Sequence, residues 1–295
     1  MKLLVLAVLA CFNLAALAQD NVEESTLAKI DRLGTVYLGH RESAPPFSYL
    51  VDGKATGYTV EICLRVVDGI RKRLGKPDLK VVEVAQPANL RFAMLIDGIV
   101  DMECGASTNT KLRQQRMAFS ISIFEAAVKF LVPKEAAINR IADLDGKTVV
   151  TLANTTAHRT VATAAARRNI NIRLTTAQDR PQAFELIKTG KVQAFVGDDA
   201  LLTGFLLTSS LDSGRFRLME EALSSEPYGI AIRRDDPEMK KLVDQILTDL
   251  MKSGEIANVY RRWFESPIPP SGNSMGIPMT PRLKELFTNP SDTGV

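Results

Sequence analysis

A secreted protein built of two α/β lobes is what this sequence predicts, and three observations carry the prediction. Lys2 is followed by an apolar run, Leu3 to Leu9, and Ala16-Leu17-Ala18 stands before the polar Gln19, the pattern of a signal peptide with a small-x-small cleavage site. From Val36 onward, strand-like and helix-like segments alternate, which argues for an α/β sheet with mainly parallel strands. At Asp143-Leu144-Asp145-Gly146-Lys147 the alternation starts again, so a second lobe is expected. A chain of 295 residues with 45% hydrophobic content holds enough material for two cores.

The leader, residues 1–18, comes first. Its apolar stretch is shorter than the ~20 residues a membrane span needs, so cleavage after Ala18 and a soluble mature protein are expected. Cys11 lies inside the leader and could be read as a lipoprotein cysteine, but the Ala-Leu-Ala site follows it.

Val36-Tyr37-Leu38-Gly39 then reads as a strand. Val60, Cys63, Val67, Ile70 and Leu74 share one helical stripe that stops at Gly75. Leu79 to Val84 is strand-like, Pro87 to Ile96 helical, Val100 to Glu103 strand-like, and Thr110 to Arg116 a short helix before the apolar strand Ala126 to Val132. In the second lobe Thr148 to Leu152 is a strand and Thr156 to Arg168 a helix. Strand Ile172 to Thr175, helix Pro181 to Thr189, strand Val192 to Val196 and helix Ala200 to Ser210 follow. Asp236-Pro237 is a helix start with proline in the first turn, and Leu242, Val243, Ile246, Leu247, Leu250 and Met251 form its broad apolar face. The segment from Pro267-Ile268-Pro269-Pro270 onward wraps the surface before a last short helix around Leu283 to Phe287.

Composition narrows the classes of function. A formal net charge of +3, lowered by one when Lys2 is removed, gives no field that implies nucleic acid. After processing only Cys63 and Cys104 remain, too few for a disulfide scaffold or a structural zinc site. They can pair in an oxidising compartment, but spacing alone does not supply the required geometry. Cys63 reads equally as a buried helix residue.

Four local motifs, in one order and spacing, are specific where any one alone is not. The first is Gly39-His40-Arg41-Glu42-Ser43-Ala44-Pro45-Pro46-Phe47-Ser48-Tyr49 with Gly57-Tyr58-Thr59-Val60-Glu61. The second runs from Asp101 through Glu103 and Gly105 to Asn109, with Arg113 and Phe119-Ser120. The third is Asp143 to Val150 leading to Asn154-Thr155-Thr156, and the fourth Gly190 to Phe195 reaching Asp198.

Together they resemble the amino-acid-binding proteins of polar amino acid ABC importers. Within that family, the runs 39–49, 103–109, 198–202 and 267–270 are most similar to the glutamate/aspartate-binding proteins. The resemblance implies a two-lobed periplasmic binding protein fold of type II with two crossings, near Val132-Pro133 and Tyr228-Gly229. Lobe 1 would then comprise residues 19–132 and 229–295, and lobe 2 residues 133–228. It further implies a monomer that takes an acidic amino acid, closes on it and hands it to a membrane permease, without cofactor, metal or catalysis.

A dicarboxylic amino acid carries two anions and one cation, and the residues supply partners for each. Arg113 can grip a carboxylate through two parallel hydrogen bonds, and the resemblance assigns it the α-carboxylate, beside Thr108 and the backbone of Gly105-Ala106. Thr155-Thr156 opens a helix, where free N–H groups favour an anion. Asp198 is expected to accept from the ligand ammonium, although Asp198 or Asp199 also fits a helix N-cap. By resemblance Arg41 and Arg91 meet the distal carboxylate. Surface solvation is the plain alternative for all three arginines, and for Phe47 a core anchor is the alternative to an apolar wall.

Four positions depart from the glutamate/aspartate pattern. Ala88 and Ala106 replace serines, Arg180 stands where a histidine is expected near the distal carboxylate, and Cys63 belongs to no signature. Arg180 is expected to meet the distal carboxylate only after closure; a solvated turn residue is its alternative. A dehydratase-like enzyme on the same fold would need a general acid. Glu103 and Glu61 are the candidates by position, and both fit structural roles in the motifs. His40 and His158 are the chain's two histidines, and no G-x-S-x-G, HExxH or phosphate-loop pattern occurs.

Overall fold

A computed structural model describes residues 24–209 and 213–295. The expected signal peptide, its expected cleavage after Ala18 and Cys11 lie outside these residues.

The fold is two-lobed α/β with a mixed sheet in each lobe. In the first, the strand order is Lys80–Ala85, Thr35–His40, Met102–Glu103, Ala231–Arg233, Met117–Phe119. Thr35–His40 runs parallel to its two neighbours, whereas Ala231–Arg233 is antiparallel to both of its own. In the second, Arg173–Ala177, Thr148–Leu152 and Ala194–Asp198 are parallel, and Phe124–Pro133 joins them antiparallel. The expectation of mainly parallel sheets is therefore corrected. The parallel set of each lobe is completed by a strand arriving from the other, which enters in the opposite sense.

Phe124–Pro133 shows how the lobes are joined. Its first four residues pair with Ser225–Tyr228, and its later ones with Ala194–Asp198 and Phe216–Leu218. Sheet membership changes between Phe119 and Phe124, upstream of Val132-Pro133.

The elements form for local reasons. Helix Tyr58–Leu74 buries Val60, Cys63, Val67 and Ile70 and ends at Gly75, whose φ of 66° lets its N–H reach back to the Arg71 and Lys72 carbonyls. At its other end Gly57 has φ 126°, and a Cβ there would lie 2.4 Å from the Phe47 carbonyl oxygen. Only glycine allows that approach, and it lets Tyr58 and Thr59 donate to the Pro46 and Phe47 carbonyls, pinning the Pro-Pro-Phe loop to the helix. Helix Pro237–Lys252 starts at Asp236, which accepts from the Met239 N–H, as its sequence predicts. The helix expected from Pro87 begins only at Arg91. Helices Thr26–Leu33 and Glu255–Tyr260 and the small sheet of Ser43–Ala44, Ser48–Val51 and Lys54–Thr56 were not anticipated from periodicity.

The main core is aromatic where the two lobes join. Phe47 is fully buried and meets Tyr58, Phe124, Tyr228 and Phe264 at centroid distances of 4.8–6.1 Å, all edge-on. Beside this cluster Cys63 and Cys104 form a disulfide with a Cα–Cα distance of 6.3 Å. Closing a loop of this length removes about 4 kcal/mol of chain entropy from the unfolded state.

Candidate functional site

On the first lobe, three arginines reach the cleft from three segments. Arg41 follows the strand Thr35–His40, and its N–H donates to Ser48 Oγ at 2.8 Å. Its Nε is buried with no hydrogen-bond partner. Arg91 opens the helix Arg91–Ile96 and donates from Nε to Ser107 Oγ at 3.1 Å and from Nη1 to the Ala88 carbonyl. Arg113 sits in the single turn Lys111–Gln114, capped by Thr110 Oγ1, and donates from Nη1 to the Thr108 carbonyl at 2.7 Å. Arg41 and Arg91 are only 9% and 5% exposed, so neither is a solvated surface residue.

The second lobe supplies helix starts. Thr155 caps the helix Thr156–Arg167 by accepting from His158 N–H and donates its own hydroxyl to the Leu152 carbonyl, which leaves Thr156 to face the first lobe. Arg180 is the first residue of the helix Arg180–Lys188, capped by Asp179, and is buried at 8% exposure. The paired aspartates divide their roles. Asp199 accepts from the Ala127 and Ala200 N–H groups, whereas Asp198 makes no capping bond and instead accepts from the Tyr228 hydroxyl.

Contacts across the cleft bring the two sides together. Thr108 Oγ1 lies 3.3 Å from Thr156 Oγ1, and Arg180 Nη1 donates to the Ser43 carbonyl at 3.1 Å. Arg113, Thr155 and Thr156 line one cavity, Arg180, Thr155 and Asp198 a second, and Arg41 with Gln86, Ala88 and Ala153 a third. Gly105 lies against Arg41. A Cβ there would fall 2.3 Å from Glu103 Oε1 and 2.9 Å from Arg41 Cγ, so the backbone can approach only without a side chain. Ala106 is packed partly against the main core, and Phe47 is in that core, the anchor position.

The electrostatics follow from burial. Loss of water, then the neighbouring Arg91 and Arg180, lowers the Arg41 guanidinium to about 9, and burial with Arg91 lowers Arg113 to about 10. Burial alone leads the downward shift of Arg91 and Arg180. At those values Arg41 and Arg113 stay cationic at neutral pH. Asp198 moves the other way, to about 7, through burial and the nearby Glu226 carboxylate, opposed by the Tyr228 hydrogen bond and Arg180.

Two site residues escaped the sequence reading, and a third, Glu103, was read there only as a structural residue or a candidate acid. Glu103 is fully buried with both carboxylate oxygens lacking a hydrogen-bond partner, so it is a counter-charge inside the arginine cluster. Glu226 and Tyr228 lie on the strand Ser225–Tyr228 and are buried at 2% and 1% exposure. Their same-face i, i+2 spacing was a usable signal, but no charge or apolar pattern marked the strand. Four guanidiniums thus face three buried carboxylates, and among the described residues no group of three or more His, Cys, Asp and Glu could hold a metal ion. No described helix is long and apolar enough to cross a membrane.

Residues 36–266 match the bacterial extracellular solute-binding proteins, family 3. The chain is 37% identical over 293 residues to an L-glutamate/L-aspartate-binding protein of Pseudomonas aeruginosa, covering 99% of this chain and 96% of the relative. It is 34% identical over 291 residues to a glutamate/aspartate import solute-binding protein of Escherichia coli, covering 97% and 96%. Among solved structures, a mutant of ArgBP from T. maritima superposes with a TM-score of 0.71 at 25% identity, covering 81% of this chain and 99% of that one.

Proposed function

Because this chain belongs to family 3 of the bacterial extracellular solute-binding proteins, we propose that its cleft captures an acidic amino acid, glutamate or aspartate, for import by an ABC transporter. It is a periplasmic solute-binding protein, not an enzyme. The observation that carries the ligand class is the excess of buried guanidinium over buried carboxylate in the cleft. A neutral or cationic ligand would leave those charges uncompensated, at several kcal/mol.

The assignment proceeds group by group. Arg113 takes the α-carboxylate, with Thr108, the Gly105-Ala106 backbone and the helix start at Thr155-Thr156 completing that end. Asp198 takes the ammonium. Arg41, Arg91 and Arg180 surround the distal carboxylate. Arg113, Arg41 and Arg91 belong to one lobe and Thr156, Asp198 and Arg180 to the other, so binding is coupled to hinge closure.

Sheet membership supports a first lobe up to Phe119, a second between Phe124 and Tyr228, and a return to the first from Gly229, with two crossings. The late strand Ala231–Arg233 in fourth place of the first sheet supports the type II arrangement. Cleavage after Ala18, a monomeric mature protein and a membrane permease as its partner complete the reading.

A thermal-shift screen of the mature protein over the common amino acids tests it. Ligand at about 100 times Kd stabilises the native state by about 2.7 kcal/mol. L-glutamate or L-aspartate should raise the unfolding temperature. A shift confined to neutral or basic amino acids would overturn the acidic assignment.

A further inference from the structure

The residue proposed to grip the α-carboxylate stands on the least self-sufficient element of the site. Arg113 lies in a helix of four residues, Lys111–Gln114. One turn fixes several backbone dihedrals for a single hydrogen bond and is not stable by itself, so its position must be set from outside.

Two neighbours set it. On one side the strand Ser225–Tyr228 holds the preceding segment, since Asn109 donates from its backbone to the Pro227 carbonyl at 2.7 Å. On the other lies the segment Ser291–Val295. The Val295 carbonyl accepts from Lys111 N–H at 3.0 Å, and Val295 N–H donates to the Asn109 carbonyl at 3.1 Å. The Asp292 carbonyl accepts from Asn109 Nδ2 at 2.8 Å and from Gln114 Nε2 at 3.0 Å. Gly294 is packed so closely that a Cβ would lie 3.0 Å from Asn109 Oδ1, Lys111 N and the Thr110 carbonyl carbon.

The segment is itself anchored away from the cleft. Ser291 accepts through its carbonyl from Ser122 N–H at 2.9 Å, and the Asp292 carboxylate pairs with Lys240 at 2.8 Å. It therefore ties the Arg113 turn to the helix Pro237–Lys252, in the body of the first lobe.

We infer that Ser291–Val295 is a positioning strap, which holds the Asn109–Gln114 segment so that Arg113 meets the ligand α-carboxylate in a fixed geometry. The inference rests on the assignment of Arg113 to that carboxylate, and its test has an arm that does not. None of the strap's residues lines the cavities that hold Arg113, Arg180 or Arg41; it acts through the backbone of the turn.

The experiment compares the full chain with a variant lacking Ser291–Val295 and with Gly294→Val, which unseats the strap without shortening the chain. In the ligand-free proteins, amide hydrogen exchange at Lys111–Arg116 should accelerate in both variants, while exchange in the second-lobe helix Thr156–Arg167 stays at the parent rate. Calorimetry with L-glutamate should show about tenfold weaker binding by either variant, the scale of coupling through neighbours rather than contacts. In an Arg113→Lys background, which lacks the fixed two-bond grip, the same changes should alter affinity less than about twofold, because their effects are not independent of Arg113. Unaltered exchange at Lys111–Arg116 would overturn the strap, as would an equal loss of affinity in both backgrounds. If the parent binds no acidic amino acid, the functional assignment fails, and the exchange arm still decides whether the strap orders the turn.

Discussion

The aromatic cluster around Phe47 and the arginine cluster around Arg91 both lie largely out of solvent, yet they are finished to different degrees. Phe47 meets four rings, and Tyr58 at its side donates its hydroxyl to the Ile123 carbonyl at 2.6 Å. The Tyr58 and Tyr228 hydroxyls of the cluster both have acceptors within the protein. In the cleft, Arg41 Nε and both Glu103 oxygens are buried without hydrogen-bond partners, and several guanidiniums repel one another. The first region is complete in the protein alone, and the second keeps unpartnered polar atoms that the proposed capture of an anion would engage. The protein thus spends its core on stability and its cleft on recognition.

That contrast can be broken by substitution, and the largest effect belongs to the core. Phe47→Ala should lower stability by about 3–5 kcal/mol, the range for removing a buried aromatic ring, as read by urea unfolding. A loss below about 1 kcal/mol would mean the ring is not an anchor. Arg113→Ala should leave stability nearly unchanged and weaken acidic-ligand binding by about 3–4 kcal/mol, because a buried, hydrogen-bonded charge pair loses one partner. Arg180→Ala should weaken binding by about 1.5–3 kcal/mol, the worth of a hydrogen bond to a charged group, and calorimetry separates the two. Equal affinity of Arg180→Ala and the parent would show that the Arg180 bond to Ser43 only fastens the closed lobes together.

The outcome for Arg180 also shows what a sequence can carry. Its charge and its place at the start of the helix Arg180–Lys188 were readable, and so were the strand Thr35–His40, the helix Tyr58–Leu74 and the helix Pro237–Lys252, because each is written in local periodicity and end signals. Arg41, Arg91 and Arg113 were identified through motif resemblance, and burial distinguishes Arg41 and Arg91 from surface residues. Glu226 and Tyr228 were not legible, since they act through a strand whose partner, Phe124–Pro133, lies about a hundred residues away. The Cys63–Cys104 bond was open for the same reason: two cysteines allow pairing, and only the folded backbone brings their Cα atoms to 6.3 Å. Short strands and single turns, including the one under Arg113, draw their stability from tertiary contacts and leave little periodic trace.

A further predicted effect is on pH. Burial and Glu226 raise the Asp198 carboxyl from 3.8 to about 7, so the folded, ligand-free protein keeps a proton that the unfolded chain releases. Its stability should therefore fall as pH rises from about 4 to 7, and the contribution is spent above 7. Ligand affinity should move in the opposite direction, rising by at most about tenfold per unit toward pH 7 and then levelling, because the ammonium needs the ionised carboxylate. Calorimetry across pH 5.5–8.5 would show it, and Asp198→Asn should flatten the curve. An unchanged pH profile in that variant would move the ammonium partner elsewhere, with Glu226 the next carboxylate to test.

A cleft that lacks its counter-charge until an anionic amino acid binds must discriminate by ligand charge, and calorimetric titration of the mature protein reads that discrimination. L-glutamate or L-aspartate should bind in the micromolar range or tighter, about −8 kcal/mol or better, with L-glutamine at least about a hundredfold weaker because a buried guanidinium loses its counter-charge. No heat with either acid, together with tight binding of L-glutamine or L-arginine, would contradict it.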